Sequence, residues 1–278
     1  MHQFHPSLRK HHGVKREASG RRSILVEIEV PGTPEEIWNA IASGPGISSW
    51  FVPAEFEEKD GAPVRLKLNF GPGMESTSEV TAFHPPHTWS TQSDGWIPGS
   101  PPIANEWSIE AREGGTCIVR IVQSLFASSD DWDNQLEGAE SGWPAFLRTL
   151  QIYLTHFRGQ CSEAMRWMVP VAYAEAEAWE RLITAVGITR QNTGQQWAAP
   201  SDTPALSGIV EYFSDSPCDA LLRVDQPGPG VVALGAFSCG AQSMVAMTFY
   251  LYGAHAAQTV ANAAPLWDDW FKRQFPSQ

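Results

Sequence analysis

The chain has 278 residues, of which 42% are hydrophobic, and a formal charge of -12. That is enough for one large or two ordinary domains with buried cores, which excludes a chain disordered throughout. An acidic surface disfavours nucleic acid and anionic membranes as partners, since both need a basic face.

The basic residues gather at the start. Arg9, Lys10, Lys15, Arg16, Arg21 and Arg22 precede the first strand, with Glu17 the one acid among them. Residues 1–22 therefore read as a solvated, disordered basic tail. They lack the apolar run of a signal peptide, and no stretch is long enough to span a bilayer. Cys117, Cys161, Cys218 and Cys239 are isolated, with no CxxC spacing for zinc or a redox pair. A reducing cytoplasm is the simplest compartment.

Ile24, Val26, Ile28 and Val30 alternate with Leu25, Glu27 and Glu29, which predicts a half-buried strand. Pro31-Gly32 breaks it. Thr33-Pro34-Glu35-Glu36 predicts a helix start: Thr33 as N-cap, Pro34 at the first position and Glu36 completing a capping box. Ile37, Trp38 and Ile41 give that helix its buried side, and residues 43–46 end it. Residues 47–51 predict a further helical turn carrying Trp50 and Phe51.

Strands follow at Phe56 to Lys59 and, after an Asp60-Gly61 hairpin signal, along Val64, Leu66, Leu68 and Phe70. Residues 76–83 and 88–92 predict the next pair. Residues 94–102, with Trp96, read as a loop that could act as a lid. Residues 105–112 and 116–125 predict a hairpin. A long amphipathic helix then runs along Trp143, Phe146, Leu147, Leu150, Leu154 and Phe157. It is approached through Asp130 and Asp131, with Pro144 as an expected kink and Gly159 as a stop signal. Arg148, Thr149, Gln151, Thr155 and Arg158 fall on its polar side. This helix alone is long enough to cover the sheet.

The order of elements, with residues 30–38, 47–53, 70–74 and 142–157 as its motifs, resembles the SRPBCC superfamily of START-like, pollen-allergen-like helix-grip proteins. Within it, the branch named after the activator of heat-shock-protein ATPase is the nearest likeness. The resemblance covers Ser23 to about Gly159. It implies an α+β helix-grip fold: a curved antiparallel sheet wrapped around a long C-terminal helix. Many members of that branch carry His where Gln123 stands, so a proton-transfer role is not carried over to this position.

Residues 163–186 read as largely helical, interrupted near Pro170. Trp38 and Trp179, Ile41 and Leu182, Gly46 and Gly187, and Ile47 and Ile188 repeat at an offset of 141. Strands are predicted at 206–213, 220–224, 231–237 and 243–251, after a linker-like stretch from Gly194 to Pro204. A closing helix is predicted at 255–271. This second half reads as a shortened copy of the same plan. The expected domains are thus 23–160 and 161–278.

The helix-grip resemblance implies a cavity between sheet and helix that takes apolar or aromatic molecules. Its expected lining is Trp50, Phe51, Phe70, Trp89, Trp107, Trp143, Phe146, Leu147 and Leu150, with Glu79 and Gln123 as polar members. The competing reading is that these aromatics fill a core. His84, His87 and Asp94 are further polar candidates, but the prolines between the histidines suit a solvated turn and no third ligand is placed for a metal. His156 suits an exposed position. Asp130, Asp131 and Asp133 lack the glycine and terminal Glu of a calcium loop. Gly71-Pro72-Gly73 lacks what a phosphate cradle needs, and no GxSxG or Cys/His signature appears. No cofactor and no metal are expected.

Three functions compete: binding of a small hydrophobic molecule, a polyketide cyclase/dehydratase-type enzyme using the same cavity, and a co-chaperone acting through its surface. The first leads, because no catalytic constellation is visible. The second domain has three candidate roles: binding, covering the first domain, or mediating a homodimer.

Overall fold

The computed structural model describes residues 8–10, 14–71, 73–94, 101–126, 132–239 and 242–276. The chain forms two compact units, Met1–Gly159 and Gln160–Gln278. Each is an antiparallel sheet with a long helix at its C-terminal end, an α+β helix-grip plan.

In the first unit, β3 (Arg21–Pro31) is followed by α1 (Pro34–Ile41) and α2 (Gly44–Ser48). Then come β4 (Ala54–Lys59), β5 (Ala62–Asn69), β6 (Glu75–His84), β7 (Thr88–Ser93), β8 (Ile103–Arg112) and β9 (Thr116–Phe126). The last element is α3 (Asp133–His156). The meander runs β4 to β9, and β3 closes it by pairing with β9. Both backbone halves of the predicted capping box are present: Glu36 N–H donates to Thr33 Oγ1 and Thr33 N–H to Glu36 Oε2. Asp60 and Gly61 both have positive φ, 54° and 77°, as a two-residue type I′ hairpin requires.

Four expectations change. The basic tail is not unstructured where it is described: β1 (Leu8–Lys10) and β2 (Lys15–Arg16) pair antiparallel with β3. The free edge of β3 offers unpaired backbone groups that such strands satisfy. The tail also ends earlier than expected, because β3 begins at Arg21 and Arg22 is buried. Residues 43–46 do not simply stop a helix. Ser43 Oγ accepts from Gly46 N–H and starts α2 at once. On α3, Thr149 and Gln151 are buried instead of solvated. Gln151 Nε2 donates to the Glu29 carbonyl at 2.7 Å, tying the helix to β3. The helical assignment of α3 continues through Pro144. Asp130, Asp131 and Trp96 lie outside the described residues.

In the second unit, β10 (Ser162–Val171) precedes α4 (Glu175–Val186). The strands β11 (Gln196–Ala198), β12 (Ser207–Asp215), β13 (Cys218–Gln226), β14 (Gly230–Cys239) and β15 (Gln242–Tyr252) lead to α5 (Ala256–Gln274). The sheet order is β10-β15-β14-β13-β12-β11. Residues 163–171 are thus strand, contrary to the helical expectation. Met165, Trp167 and Val169 alternate toward the core, and Pro170 is tolerated because β10 is an edge strand. The stretch expected as a linker holds β11, with Trp197 buried.

The two sheets share one register plan. Starting from the offset that relates α1 to α4, Val26–Ile121–Trp107–Trp89–Phe83 runs across the first sheet. Trp167–Met247–Leu234–Ala220–Phe213 runs across the second. Each row ends on a Phe that meets the helix Trp of the repeat: Phe83 on Trp38 at 4.9 Å and Phe213 on Trp179 at 5.6 Å between ring centroids.

Candidate functional site

The inward face of the first sheet is set by strand alternation. On β8, Ile103, Trp107 and Ile109 are buried while Glu106 is exposed, so Asn105 shares the inward register. Thr91, Asn105, Gln123 and Ile24 stand opposite one another on β7, β8, β9 and β3. They form a row beside the Trp89–Trp107–Ile121 row. Thr91 and Gln123 are buried.

Aromatic rings line this face in a continuous path. Trp89 stacks on Trp107 at 5.9 Å with planes 3° apart. Trp107 meets Trp50 at 6.4 Å and Trp143 of α3 at 5.4 Å, both edge-on. Phe51 stacks on Trp143 at 5.8 Å and meets Phe70 at 5.7 Å and Phe146 at 4.6 Å. Phe56 touches Trp89 at 5.8 Å. Burial falls along the path: Trp50, Trp89 and Trp107 are buried, Trp143 and Phe70 are half-buried, and Phe146 is 37% exposed. Leu147 and Leu150 of α3 are fully buried.

Polar contacts inside are few. The Trp143 indole N–H donates to Gln123 Oε1 at 2.7 Å. Five buried side-chain atoms among the described residues of this unit have no hydrogen-bond partner: the Nε atoms of Arg21, Arg22 and Arg148, and, on the inward face of β7 and β8, Trp89 Nε1, a donor, and Asn105 Oδ1, an acceptor. Buried polar atoms are nearly always paired in folded proteins, so such atoms on neighbouring strands stand out.

Of the residues expected to line a cavity, Trp50, Phe51, Phe70, Trp89, Trp107, Trp143 and Phe146 meet through ring contacts, Gln123 bonds to Trp143, and Leu147 and Leu150 are buried on α3. Glu79 does not join them. It is exposed on β6 between inward Ser78 and Val80, opposite Arg65 and Gln92. The reason is the strand period of two, which sends it to the solvent face. His84, His87, Asp94 and His156 are exposed too. Thr91 and Asn105 were missed. For Asn105 the signal is its spacing of two and four residues from Trp107 and Ile109, which puts it on their face.

The ion pair of Arg120 lies on the outer face. Arg120 donates to Glu27 at 2.6 Å and lies 2.8 Å from Glu110. These bonds, Glu27 first, hold the Arg120 guanidinium above its ordinary value. Among the described residues no group of three His, Cys, Asp or Glu could hold a metal ion, and no helix is long and apolar enough to cross a membrane.

The equivalent row in the second unit is Met165–Phe249–Val232–Leu222, in place of Ile24–Gln123–Asn105–Thr91. All four are buried and apolar. The Trp267 and Trp270 indole nitrogens there are buried without a hydrogen-bond partner. They sit among rings, Trp270 edge-on to Trp267, Phe271 and Phe275, where N–H groups can face π-systems.

Residues 31–155 match the family model described as Activator of Hsp90 ATPase homolog 1-like protein. A search of curated proteins finds no match. Among solved structures, the chain is similar to the di-domain ARO/CYC BexL of the BE-7585A biosynthetic pathway, at 11% identity and a TM-score of 0.45. That match covers 91% of this chain and 96% of BexL. CalU16 from Micromonospora echinospora is similar at 17% identity and a TM-score of 0.42, over 54% of this chain and 87% of CalU16. The Aha1 dimer from Colwellia psychrerythraea is similar at 22% identity and a TM-score of 0.39, over 49% of this chain and 98% of that one.

Proposed function

We propose that the first unit, an Activator of Hsp90 ATPase homolog 1-like domain over residues 31–155, binds a small hydrophobic or aromatic molecule between its sheet and α3. One observation carries this reading. The inward face of β7–β9 holds a polar row within an aromatic lining, whereas the same register positions of the second sheet are apolar. A core needs only apolar residues there, as the second unit demonstrates by its own packing. Polar groups that fix orientation within an apolar lining are what a ligand site adds.

The half-buried Phe70 and Trp143 and the exposed Phe146 form the outer end of the aromatic path and suit the side from which a ligand enters. The cyclase-type reading ranks second. It needs a titratable group among the aromatics, and Glu79, His84, His87 and Asp94 all face solvent. We place the protein in a reducing cytoplasm, which suits the free thiols Cys117, Cys161 and Cys218.

The test is a tryptophan-fluorescence and thermal-shift screen of the full chain against aromatic and alicyclic compounds, with Trp143→Ala as the control. Saturable quenching that Trp143→Ala weakens supports the reading. Absence of any saturable binder across the screen overturns it.

A further inference from the structure

Resting on the ligand-binding reading, we propose that the bound molecule carries a neutral hydrogen-bonding group, of the hydroxyl type, at the end that meets Asn105 and Trp89, and that these two residues select for it. Asn105 Oδ1 lacks a donor and Trp89 Nε1 lacks an acceptor, and both atoms are buried. The two residues are on neighbouring strands, and Trp89 pairs with Trp107, two positions along β8 from Asn105. Residues diagonal across a strand pair lie within reach of one group with long side chains. An apolar ligand would leave both atoms unpaired and keep their desolvation cost. A ligand with a hydroxyl supplies a donor to Asn105 Oδ1 and an oxygen to Trp89 Nε1.

The neighbouring groups argue for a neutral head rather than a carboxylate. Gln123 Oε1 is already occupied by Trp143, and Thr91 and Asn105 carry no charge. Arg22 is buried on β3 two residues before Ile24, so the 2-naphthoate probe below tests whether its charge reaches this end of the face. A carboxylate could accept from Trp89 Nε1 but has no proton to give Asn105 Oδ1, which would stay unpaired. The second unit supports the assignment from the other direction: Val232 and Ala220 stand where Asn105 and Trp89 stand in the first.

The experiment titrates the full chain with three matched probes, naphthalene, 2-naphthol and 2-naphthoate, by fluorescence and calorimetry. It is repeated on Asn105→Leu and on Trp89→Phe, which keeps an aromatic ring and loses the N–H donor together with one ring of the indole, so the ratio of the two probes and not the absolute affinity is compared. The expected result is a preference of about tenfold for 2-naphthol over naphthalene, the size of one or two net hydrogen bonds. That ratio falls toward one in both variants. Equal binding of naphthalene and 2-naphthol, or a ratio that survives in both variants, overturns the selection by Asn105 and Trp89 while leaving the ligand-binding reading intact. Tighter binding of 2-naphthoate overturns the neutral-head assignment. If none of the three probes binds, both the inference and the reading it rests on fail.

Discussion

The Trp143 indole N–H donates to Gln123 Oε1 at 2.7 Å, joining α3 to β9 inside the first unit. It is a polar clasp among aromatic rings. It also fixes the ring that stacks on Phe51 and meets Trp107 edge-on.

Gln123→Leu therefore leaves a half-buried indole donor without an acceptor. The expected cost to the first unit is about 1–3 kcal/mol. Urea denaturation followed by Trp143-dependent fluorescence measures it. In a double-mutant cycle with Trp143→Phe, a coupling near zero would show that the contact contributes nothing.

Gly46 is required for a different reason. A Cβ there would come within 1.9 Å of the Asn39 carbonyl, so α1 and α2 could not approach. Gly46→Ala should cost about 3 kcal/mol, the upper end of overpacking penalties. Gly61→Ala meets open space and only the strain of φ +77°, about 1 kcal/mol. Thermal melts that rank the two in the opposite order would contradict this account.

The thiols should differ in reactivity. Burial, followed by the nearby Glu175 and Asp215 carboxylates, pushes Cys218 up to about 11. Burial, then Glu35 and Glu36, also raises Cys117, whereas Cys161 is exposed. A thiol whose value lies well above the buffer pH has little thiolate to react. At pH 8, iodoacetamide should modify Cys161 first and reach Cys117 and Cys218 only after unfolding. Peptide mapping by mass spectrometry reads the order, and early labelling of Cys218 would refute it.

Asp215 gives the second unit a small acid dependence. The hydrogen bond from Arg190 at 2.7 Å, together with Trp179, holds its carboxyl below the ordinary value. A lowered folded value means the contribution is present above the unfolded value, about 4, and is lost as the pH falls through the folded one. The carboxylate is 54% exposed, so the effect is weak and salt-sensitive. Asp215→Asn should flatten the stability profile of the second unit below about pH 4. An unchanged profile would rule out this ion pair as its cause.

Much of the fold was legible because local chemistry repeats what the tertiary structure needs. Thr33, Pro34 and Glu36 specify the start of α1 by themselves, and Asp60-Gly61 specifies a turn only such residues adopt readily. The alternation along β8 already aimed Trp107 and Ile109 inward. Residues 163–171 were less legible. Their apolar spacing suits a helix as well as a strand, and pairing with β15, distant in sequence, decided between them. The same holds for β1, which exists through its partner β3.

What the sequence determined by itself is most of the strands and helices, the inward register of Trp107 and Ile109, and the doubled plan, since these depend on periodicity, caps and turns that act over a few residues. Only the tertiary structure decided that Glu79 faces water, that Thr91, Asn105 and Gln123 meet in one row, and that the second unit fills that row with Leu222, Val232 and Phe249. Those facts depend on register between strands far apart in the chain, and a shift of one residue would turn each side chain to the other face.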